Sequence, residues 1–354
     1  MEKGTFVKLF SVLIVFSLVF MSGCTGGDPN APPADYEASK PTLDRTQYYP
    51  SSSPQSDDNI IKYKQSHPFE ISFIDVGFGD ATLIRANGKA ILFDAGPSAG
   101  ASEVRAYLRE HGVVSLDLLV LSSNDARFIS GAAEVLRTVP VKEIWVNKQS
   151  YSSDARWDEM MSLASDSQIK VVEYGDKYED GNFTLTALNP FPGTKNPSAA
   201  MDSIVLKAQY GDFCAVLFSN SEASGAAGND AGTVFGGVDS RIISAPESVK
   251  CPVLRVSAHG SGNSASFQLL DAMGPPEMAV ISVGQNPPEN KYPEPTLIRR
   301  LLLREVDVYL TDKLGDIVVK SDGSSYEVET KYPYGTSYAQ FINGVGYGGQ
   351  LYYN

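Results

Sequence analysis

Short apolar runs separated by turn residues fill most of the sequence after Pro68, and this pattern constrains the fold more than any other feature. The run from Leu116 to Leu121 is nearly all apolar, as expected for a strand that is buried on both faces. Asn87-Gly88 lies between two such runs and predicts a hairpin turn. In each half of the chain, strands come first and are then mixed with helices. This order predicts an α/β fold of two sheets packed face to face with helices outside, a four-layer αββα sandwich.

Helix signals lie between the predicted strands. The first predicted helix has Ser102 as its N-cap and Gly112 as its stop. Two late runs, 317–319 and 326–328, predict a closing hairpin, and the Gly- and Ala-rich segment 221–239 predicts a flexible excursion. The other predicted helices lie at 132–139, 155–164, 266–272 and 296–304.

Two cysteines, Cys214 and Cys251, lie in or next to apolar runs. An exported chain would permit a disulfide between them. The alternative is a pair of buried thiols that behave as small apolar side chains. Connectivity cannot be read from sequence, so the simpler interpretation of two free thiols is favoured.

The N-terminus carries the clearest targeting signal. Two lysines precede an apolar run at 9–20, which has the length of a secretory signal core and is short for a membrane span. Ser22 and Gly23 then lead to Cys24, an arrangement that resembles a prokaryotic lipobox with Cys24 as the lipidated residue. An ordinary signal peptide or an uncleaved anchor helix is the alternative. A lipid anchor would place the protein at the extracytoplasmic face of the cell membrane.

These signals divide the chain into four parts. Residues 1–23 are the expected lipoprotein signal peptide, and the Pro- and Ser-rich segment 24–67 is the expected flexible tether. Residues 68–331 form the predicted folded domain, and 332–354 form a Tyr- and Gly-rich tail. The formal net charge of −13 disfavours nucleic acid as a partner, since a surface this acidic repels phosphate backbones.

Several motifs carry a resemblance to a known family. The run at 73–81, Phe-Ile-Asp-Val-Gly-Phe-Gly-Asp-Ala, resembles the opening signature of ComEC-type metallo-β-lactamase domains, the soluble part of a competence DNA-uptake protein, with Phe78 in place of a glutamine. Further elements similar to that family follow in the family's order, at 92–97, 116–122, 202–206, 258–261, 281–286 and 309–315. The resemblance implies a metallo-β-lactamase fold over about residues 69–330.

The family's metal-binding positions are mostly replaced. After the strand at 116–121, Ser123, Asp125 and Phe128 occupy the three histidine positions, and Arg127 occupies the aspartate position. Later replacements are Asn220-Ser221 for Gly-Asp, Ala258 for the first histidine of His-His-Gly-Ser, and 291–293 for Gly-His-Pro.

The whole chain has three histidines, His67, His111 and His259, and of these His259 alone falls at a motif position. A two-zinc site needs several imidazole nitrogens and a carboxylate at about 2.0–2.2 Å from the ions. Arg127 would also put a permanent positive charge where a divalent cation should lie. A dinuclear hydrolase of the usual kind is therefore disfavoured, and no resident cofactor is expected.

The polar residues that remain at these positions are expected to cluster at the strand ends as a remnant pocket. Its predicted members are Asp75, Asp80, Asp94, Ser123, Asp125, Arg127, Ser221, His259 and Ser261.

Three interpretations of this pocket stay open. Arg127 could act as the positive centre and bind a phosphate or carboxylate, with Ser123 and His259 as further donors. The favoured interpretation is that Arg127 pairs with Asp125 or Asp94 and fills the vacated site. A single zinc or manganese ion held by Asp94, Asp125 and His259 is a weaker alternative.

Together these observations predict a membrane-anchored extracytoplasmic lipoprotein whose ComEC-like domain serves as a binding or accessory module. Its expected partners are the membrane, through the anchor, and a small anion or an envelope protein. The alternative, which the resemblance implies, is a metal-dependent hydrolase of the phosphodiesterase or nuclease kind that works with a reduced site.

Overall fold

The computed structural model describes residues 68–147, 155–165, 168–193, 199–221, 237–245, 247–284, 292–335 and 342. The expectations for Cys24, for the tether and for most of the segment 221–239 lie outside these residues. Within them, no helix combines the length and the apolar character that a bilayer span requires.

The first sheet has eight strands among the described residues, in the order β15-β14-β1-β2-β3-β4-β5-β6. Pairing is antiparallel from β15 to β3 and parallel from β3 to β6. The strands are β1 (Phe69–Phe73), β2 (Thr82–Ala86), β3 (Lys89–Phe93), β4 (Leu116–Leu121), β5 (Val141–Val146), β6 (Ile169–Val171), β14 (Ile317–Ser321) and β15 (Tyr326–Thr330).

The second sheet has seven strands in the described part of the chain, in the order β13-β12-β11-β10-β9-β8-β7. Its strands β10 to β13 are parallel, and β7 to β10 pair antiparallel. The strands are β7 (Lys177–Asp180), β8 (Phe183–Asn189), β9 (Val205–Tyr210), β10 (Phe213–Leu217), β11 (Val253–Arg255), β12 (Met278–Ile281) and β13 (Asp307–Leu310).

The α-helices connect the strands and lie close to the segments predicted from the sequence. Their bounds are α1 (Ala101–Glu110), α2 (Ala126–Ile129), α3 (Ala132–Thr138), α4 (Ala155–Leu163), α5 (Val238–Ser244), α6 (Phe267–Met273), α7 (Pro295–Leu302) and α8 (Thr311–Leu314).

Strand β3 shows how the alternation of side chains builds the layers. Ile91 and Phe93 join the apolar core that both sheets share, whereas Ala90 and Leu92 join a second core with helices α1 to α4. Buried residues of α5 to α7 pack into the shared core with the second sheet. The predicted four-layer αββα sandwich is therefore confirmed.

Two local predictions can be compared directly with the structure. Asn87 and Gly88 both have positive φ, 51° and 80°, as the predicted two-residue hairpin turn requires. The predicted N-cap at Ser102 is wrong, because the helix follows Gly100 and Ser102 Oγ donates to Glu103. A Cβ on Gly100 would lie 2.6 Å from the carbonyl oxygen of Val76, so close packing leaves no room for a capping side chain at the residue before the helix.

Cys214 and Cys251 form a disulfide, with their Cα atoms 5.0 Å apart. The interpretation of two free thiols is therefore wrong. The parallel pairing of β10 with β11 places Cys214 beside the residues that enter β11, and this proximity was not visible from two isolated apolar runs.

The packed part of the chain continues past the last strand. The Tyr334 ring lies 4.9 Å from that of Tyr309, and Ile342 is buried in the core that the two sheets share. The rest of the tail beyond Gly335 lies outside the described residues.

Candidate functional site

The candidate site lies where the carboxyl ends of the parallel strands meet. Asp94 follows β3, Ser122 and Ser123 follow β4, and Ser219 follows β10. His259 lies in the turn after β11. In open α/β sheets this edge collects functional side chains because all the parallel strands end there.

A buried ion cluster forms the floor of this site. Arg255, the last residue of β11, has its Nη2 atom 2.8 Å from Asp80 Oδ2 and 3.4 Å from Asp94 Oδ2. All three side chains are at most 1% exposed, and the guanidinium also lies 4.8 Å from the centre of the Phe93 ring. Arg255 was not among the predicted site residues, although a charged residue inside the otherwise apolar run 253–256 is a usable signal.

Asp94 is held in one orientation by the surrounding strand ends. Its Oδ1 accepts the backbone N–H of Ser122 at 2.9 Å, and its Oδ2 accepts the Ser219 hydroxyl at 2.8 Å. Burial raises the pKa of Asp94 to about 6, against the opposing charge of Arg255. Both oxygens of this carboxylate thus accept hydrogen bonds within the protein.

Arg127 and Asp125 form a bidentate ion pair above this floor. Arg127 donates from Nε to Asp125 Oδ1 at 2.9 Å and from Nη2 to Asp125 Oδ2 at 2.7 Å. Asp125 is also the N-cap of α2, where its Oδ1 accepts the Arg127 backbone N–H. Burial opposes ionisation of Asp125, but hydrogen bonds and charge from Arg127 outweigh it and lower the pKa of the carboxyl. The favoured pairing of Arg127 with Asp125 is therefore observed.

Two aromatic rings lie close to the guanidinium of Arg127. Its Cζ lies 5.6 Å from the ring centres of both Phe78 and Phe128, and Nη2 also approaches Asn220 Oδ1 at 3.4 Å. Gly79 brings the Phe78 loop this close, because a Cβ there would lie 2.4 Å from the Arg127 carbonyl oxygen. Two motif positions that hold metal ligands in the family thus carry other side chains here: Arg127 at the aspartate position and Phe128 at a histidine position.

His259 is buried in the turn after β11 with a left-handed backbone, at φ 54°. Its Nδ1 lies 2.9 Å from the Ser282 carbonyl oxygen, so Nδ1 carries the proton and donates. Burial lowers the pKa of His259, and the neutral ring therefore has a lone pair on Nε2. Among the described residues, Nε2 has no hydrogen-bond partner. The ring packs 4.4 Å from Phe78 and 5.2 Å from Phe128.

The loop that follows His259 is held by a buried cation on α7. Arg300 donates from Nη1 to the Ser264 carbonyl at 2.5 Å and from Nη2 to the Gly262 carbonyl at 2.9 Å. Glu294, which precedes α7, donates its backbone N–H to the Gly260 carbonyl. Helix α7 therefore positions the turn that carries His259.

The remaining predicted residues have different surroundings. Ser123 and Ser261 accept backbone N–H groups two residues further along, which makes them local loop contacts. The Ser221 hydroxyl is buried and has no partner in the described part of the chain. Asp75 lies apart from the ion cluster, in a group of carboxyls with Asp316 and Asp312, and burial raises its pKa to about 6.

The side chains at the family's metal positions do not fit a metal centre. Within the described ranges, no three His, Cys, Asp or Glu residues are arranged to hold an ion. The weaker alternative of a single ion on Asp94, Asp125 and His259 finds no support here, because Asp94 is bound by Ser122, Ser219 and Arg255, and Asp125 is bound by Arg127.

The sequence is similar to two curated proteins, and no family model matches it. Recombination protein 2 of Haemophilus influenzae is 29% identical over 250 residues, which cover 68% of this chain and 28% of that protein. ComE operon protein 3 of Bacillus subtilis is 24% identical over 293 residues, which cover 76% of this chain and 35% of that protein. The chain thus spans a minor part of the length of these relatives.

Solved structures are also similar to the chain. A metallo-β-lactamase fold protein from Bacillus subtilis has a TM-score of 0.46 and 13% identity, over 72% of this chain and 100% of that chain. A metal-dependent hydrolase of the β-lactamase superfamily has a TM-score of 0.46 and 15% identity, over 72% of this chain and 99% of that chain.

The domain has a metallo-β-lactamase-type fold, in keeping with its αββα sandwich and with its motifs. The chain is a relative of Recombination protein 2 and of ComE operon protein 3, and these two relatives confirm its resemblance to the ComEC type.

Replacing Arg255 tests the buried cluster. Arg255→Met keeps the bulk of the side chain but leaves Asp80 and Asp94 buried without a cation, so we expect the free energy of unfolding to fall by about 3–5 kcal/mol. Arg127→Met is the matched control, since its ion pair is partly exposed, and we expect a loss of at most about 1 kcal/mol. Urea unfolding followed by circular dichroism measures both. Equal losses in the two variants would contradict the central position of Arg255.

Proposed function

We propose that this chain is a binding protein displayed at the outer face of the membrane, in which the metallo-β-lactamase-type domain holds a ligand at the former metal site without hydrolysing it. The observation that carries this proposal is the Arg127–Asp125 ion pair, which occupies motif positions of metal ligands and has its guanidinium carbon 5.6 Å from the ring centres of both Phe78 and Phe128. A metal ion there would have to displace the guanidinium and recruit imidazoles that the sequence lacks.

The chemistry left at the site suits binding better than hydrolysis. Hydrolysis in this fold relies on a metal-activated water, and this chain offers one neutral imidazole, His259, at a motif position. The carboxylates of Asp94 and Asp125 are already engaged by arginine and hydroxyl partners. These contacts hold the side chains in fixed positions.

Two independent features support display outside the cytoplasm. Cys24 follows a signal-type apolar run, and Cys214 and Cys251 are bonded to each other. Disulfides persist in oxidising compartments and are rare in the cytosol. Lipidation of Cys24 would then hold the domain at the membrane surface.

A second candidate is a metal-dependent hydrolase that acts on phosphodiesters with a reduced site. The feature that favours it is the Nε2 lone pair of His259, which lies buried and unpartnered among the described residues, as a metal-binding imidazole would. It requires Asp125 to leave Arg127 and turn toward an ion.

A turnover assay separates the two candidates. We expect bis(p-nitrophenyl) phosphate to be cleaved no faster with the protein than without it, in the presence of added zinc or manganese, because no described group of ligands can activate a metal-bound water. Metal-stimulated cleavage that disappears in an Asp94→Ala, His259→Ala double variant would establish the hydrolase instead.

The anchor is tested with one substitution. When the chain is expressed in a bacterium with lipoprotein processing, we expect it to enter the detergent phase on Triton X-114 partition, because two acyl chains bind a membrane stably. Cys24→Ser should abolish the incorporation of radiolabelled palmitate into the chain, whereas Ser22→Ala should leave it intact; the label is measured because the apolar run 9–20, uncleaved in Cys24→Ser, would itself enter the detergent phase. A Cys24→Ser variant that still incorporates palmitate would rule out anchoring through Cys24.

A further inference from the structure

Asp75 is a partly buried carboxyl that the candidate site does not use. It follows β1 in the loop that also carries Phe78 and Asp80, and its Oδ1 accepts the backbone N–H of Gly77 at 3.2 Å. Within the described ranges, no ion pair involves Asp75. The carboxyl therefore lies in the protein without a cation to neutralise it, and its surroundings decide whether it carries a proton.

Two more carboxyls approach Asp75 from helix α8 and from the turn that follows it. Asp316 Oδ1 accepts the backbone N–H of Asp75 at 2.9 Å. The Asp312 side chain is 4% exposed, and its Oδ1 has no hydrogen-bond partner in the described part of the chain. Lys313 pairs with Asp312 Oδ2 at 3.2 Å, and Lys331 pairs with Asp316 Oδ2 at 3.4 Å. Two lysines thus serve three carboxyls in this cluster.

Burial and the neighbouring charges favour the neutral form of Asp75. Burial raises the pKa of Asp75 to about 6, and the charges of Asp316 and Asp312 act in the same direction, whereas the hydrogen bond from Gly77 and the charge of Lys331 oppose it. Burial also raises the pKa of Asp312. A loop that opened to water would return Asp75 to its ordinary, lower pKa. The proton therefore stabilises the closed loop at acid pH, and this stabilisation is lost as the pH rises through about 6.

The loop after β1 is packed closely against the rest of the domain. A Cβ on Gly284 would lie 2.2 Å from the carbonyl carbon of Gly77, so the turn after β12 touches the loop backbone directly. The same loop holds the Phe78 ring 4.4 Å from the ring of His259. Contacts this close do not deform continuously, so a charge in the loop shifts it between a packed and a loosened state.

We propose that Asp75 and Asp312 form a pH-sensitive latch, which holds the loop 75–80 against α8 when the carboxyls are protonated and loosens it when they ionise. A protonated carboxyl has no charge to repel Asp316 and can donate a hydrogen bond to a neighbouring oxygen. Ionised carboxylates in the same partly buried cluster repel one another. Because the loop carries Phe78, the latch makes one wall of the candidate site depend on pH, whichever ligand that site takes.

Hydrogen–deuterium exchange of the full-length chain in detergent, measured by mass spectrometry at pH 5.0 and 7.5, follows the loop. After correction for the intrinsic exchange rate, we expect the protection of peptides covering 74–80 to fall about tenfold between these pH values, because a carboxyl with its pKa raised to about 6 changes the opening equilibrium by that ratio. The loop should also exchange faster than β9, which reports unfolding of the domain. Unchanged protection of the loop would overturn the proposal, as would loop exchange that only matches the rate of β9.

Three variants assign the effect to the latch. Asp75→Asn keeps an acceptor for the Gly77 N–H and resembles the protonated side chain, so its loop protection at pH 7.5 should equal that at pH 5.0. Asp212→Asn removes an exposed acid between β9 and β10 and is the matched control, which should keep the tenfold fall. Asp312→Asn guards against misfolding of the first variant, because it removes one repelling charge and should move the midpoint of the fall to lower pH. A fall that persists in Asp75→Asn, or a midpoint unmoved in Asp312→Asn, would overturn the proposal.

Discussion

The ion cluster of Arg255 with Asp80 and Asp94 is the interaction on which the rest of the site depends. Arg255 ends β11 in the second sheet, whereas Asp80 and Asp94 lie in loops of the first sheet. The cluster therefore joins the two sheets at the edge where the site is built. A buried ion pair is a weak source of net stability, but the loss of one member is strongly destabilising. The main effect of the cluster is to hold the loops that carry Asp80 and Asp94 against the end of β11.

The position of each loop around the site follows from this cluster. Asp94 accepts from Ser122 and Ser219, so the ends of β4 and β10 are tied to the end of β3. The Asp80 backbone N–H donates to the Arg127 carbonyl, which places the Arg127–Asp125 pair directly beside the buried ions. These contacts hold in fixed positions the loops whose motifs resemble the family's metal-binding motifs, and the side chains at those positions form an ion pair close to aromatic rings.

Much of this architecture was predictable from particular sequence features. The apolar run at 116–121, the Asn87-Gly88 turn and the order of the motifs led to the correct sandwich, because side-chain alternation and turn chemistry are local. The Arg127–Asp125 pair was also foreseeable, since both residues lie in one short segment.

Other features depend on tertiary proximity that no local pattern contains. In the sequence, Arg255 is one polar position within a strand. Its two carboxylate partners lie far away along the chain, and Asp94 is separated from it by 161 residues. The bond between Cys214 and Cys251 needed the pairing of β10 with β11. Asp75 belongs to the same motif as Asp80, yet the two lie apart: Asp75 is near Asp312 and Asp316, and the chain turns at Gly77, where φ is 74°.

The central claim is that a guanidinium and aromatic rings have taken the place of a metal centre. It is tested most directly by elemental analysis of the full-length chain, purified in detergent without chelator, exposed to zinc and manganese and then passed through gel filtration. The predicted result is no metal above the level that a buffer blank carries. Near-stoichiometric metal that is retained through filtration and lost in His259→Ala would contradict the claim, since Asp125 would then have left Arg127 to bind an ion.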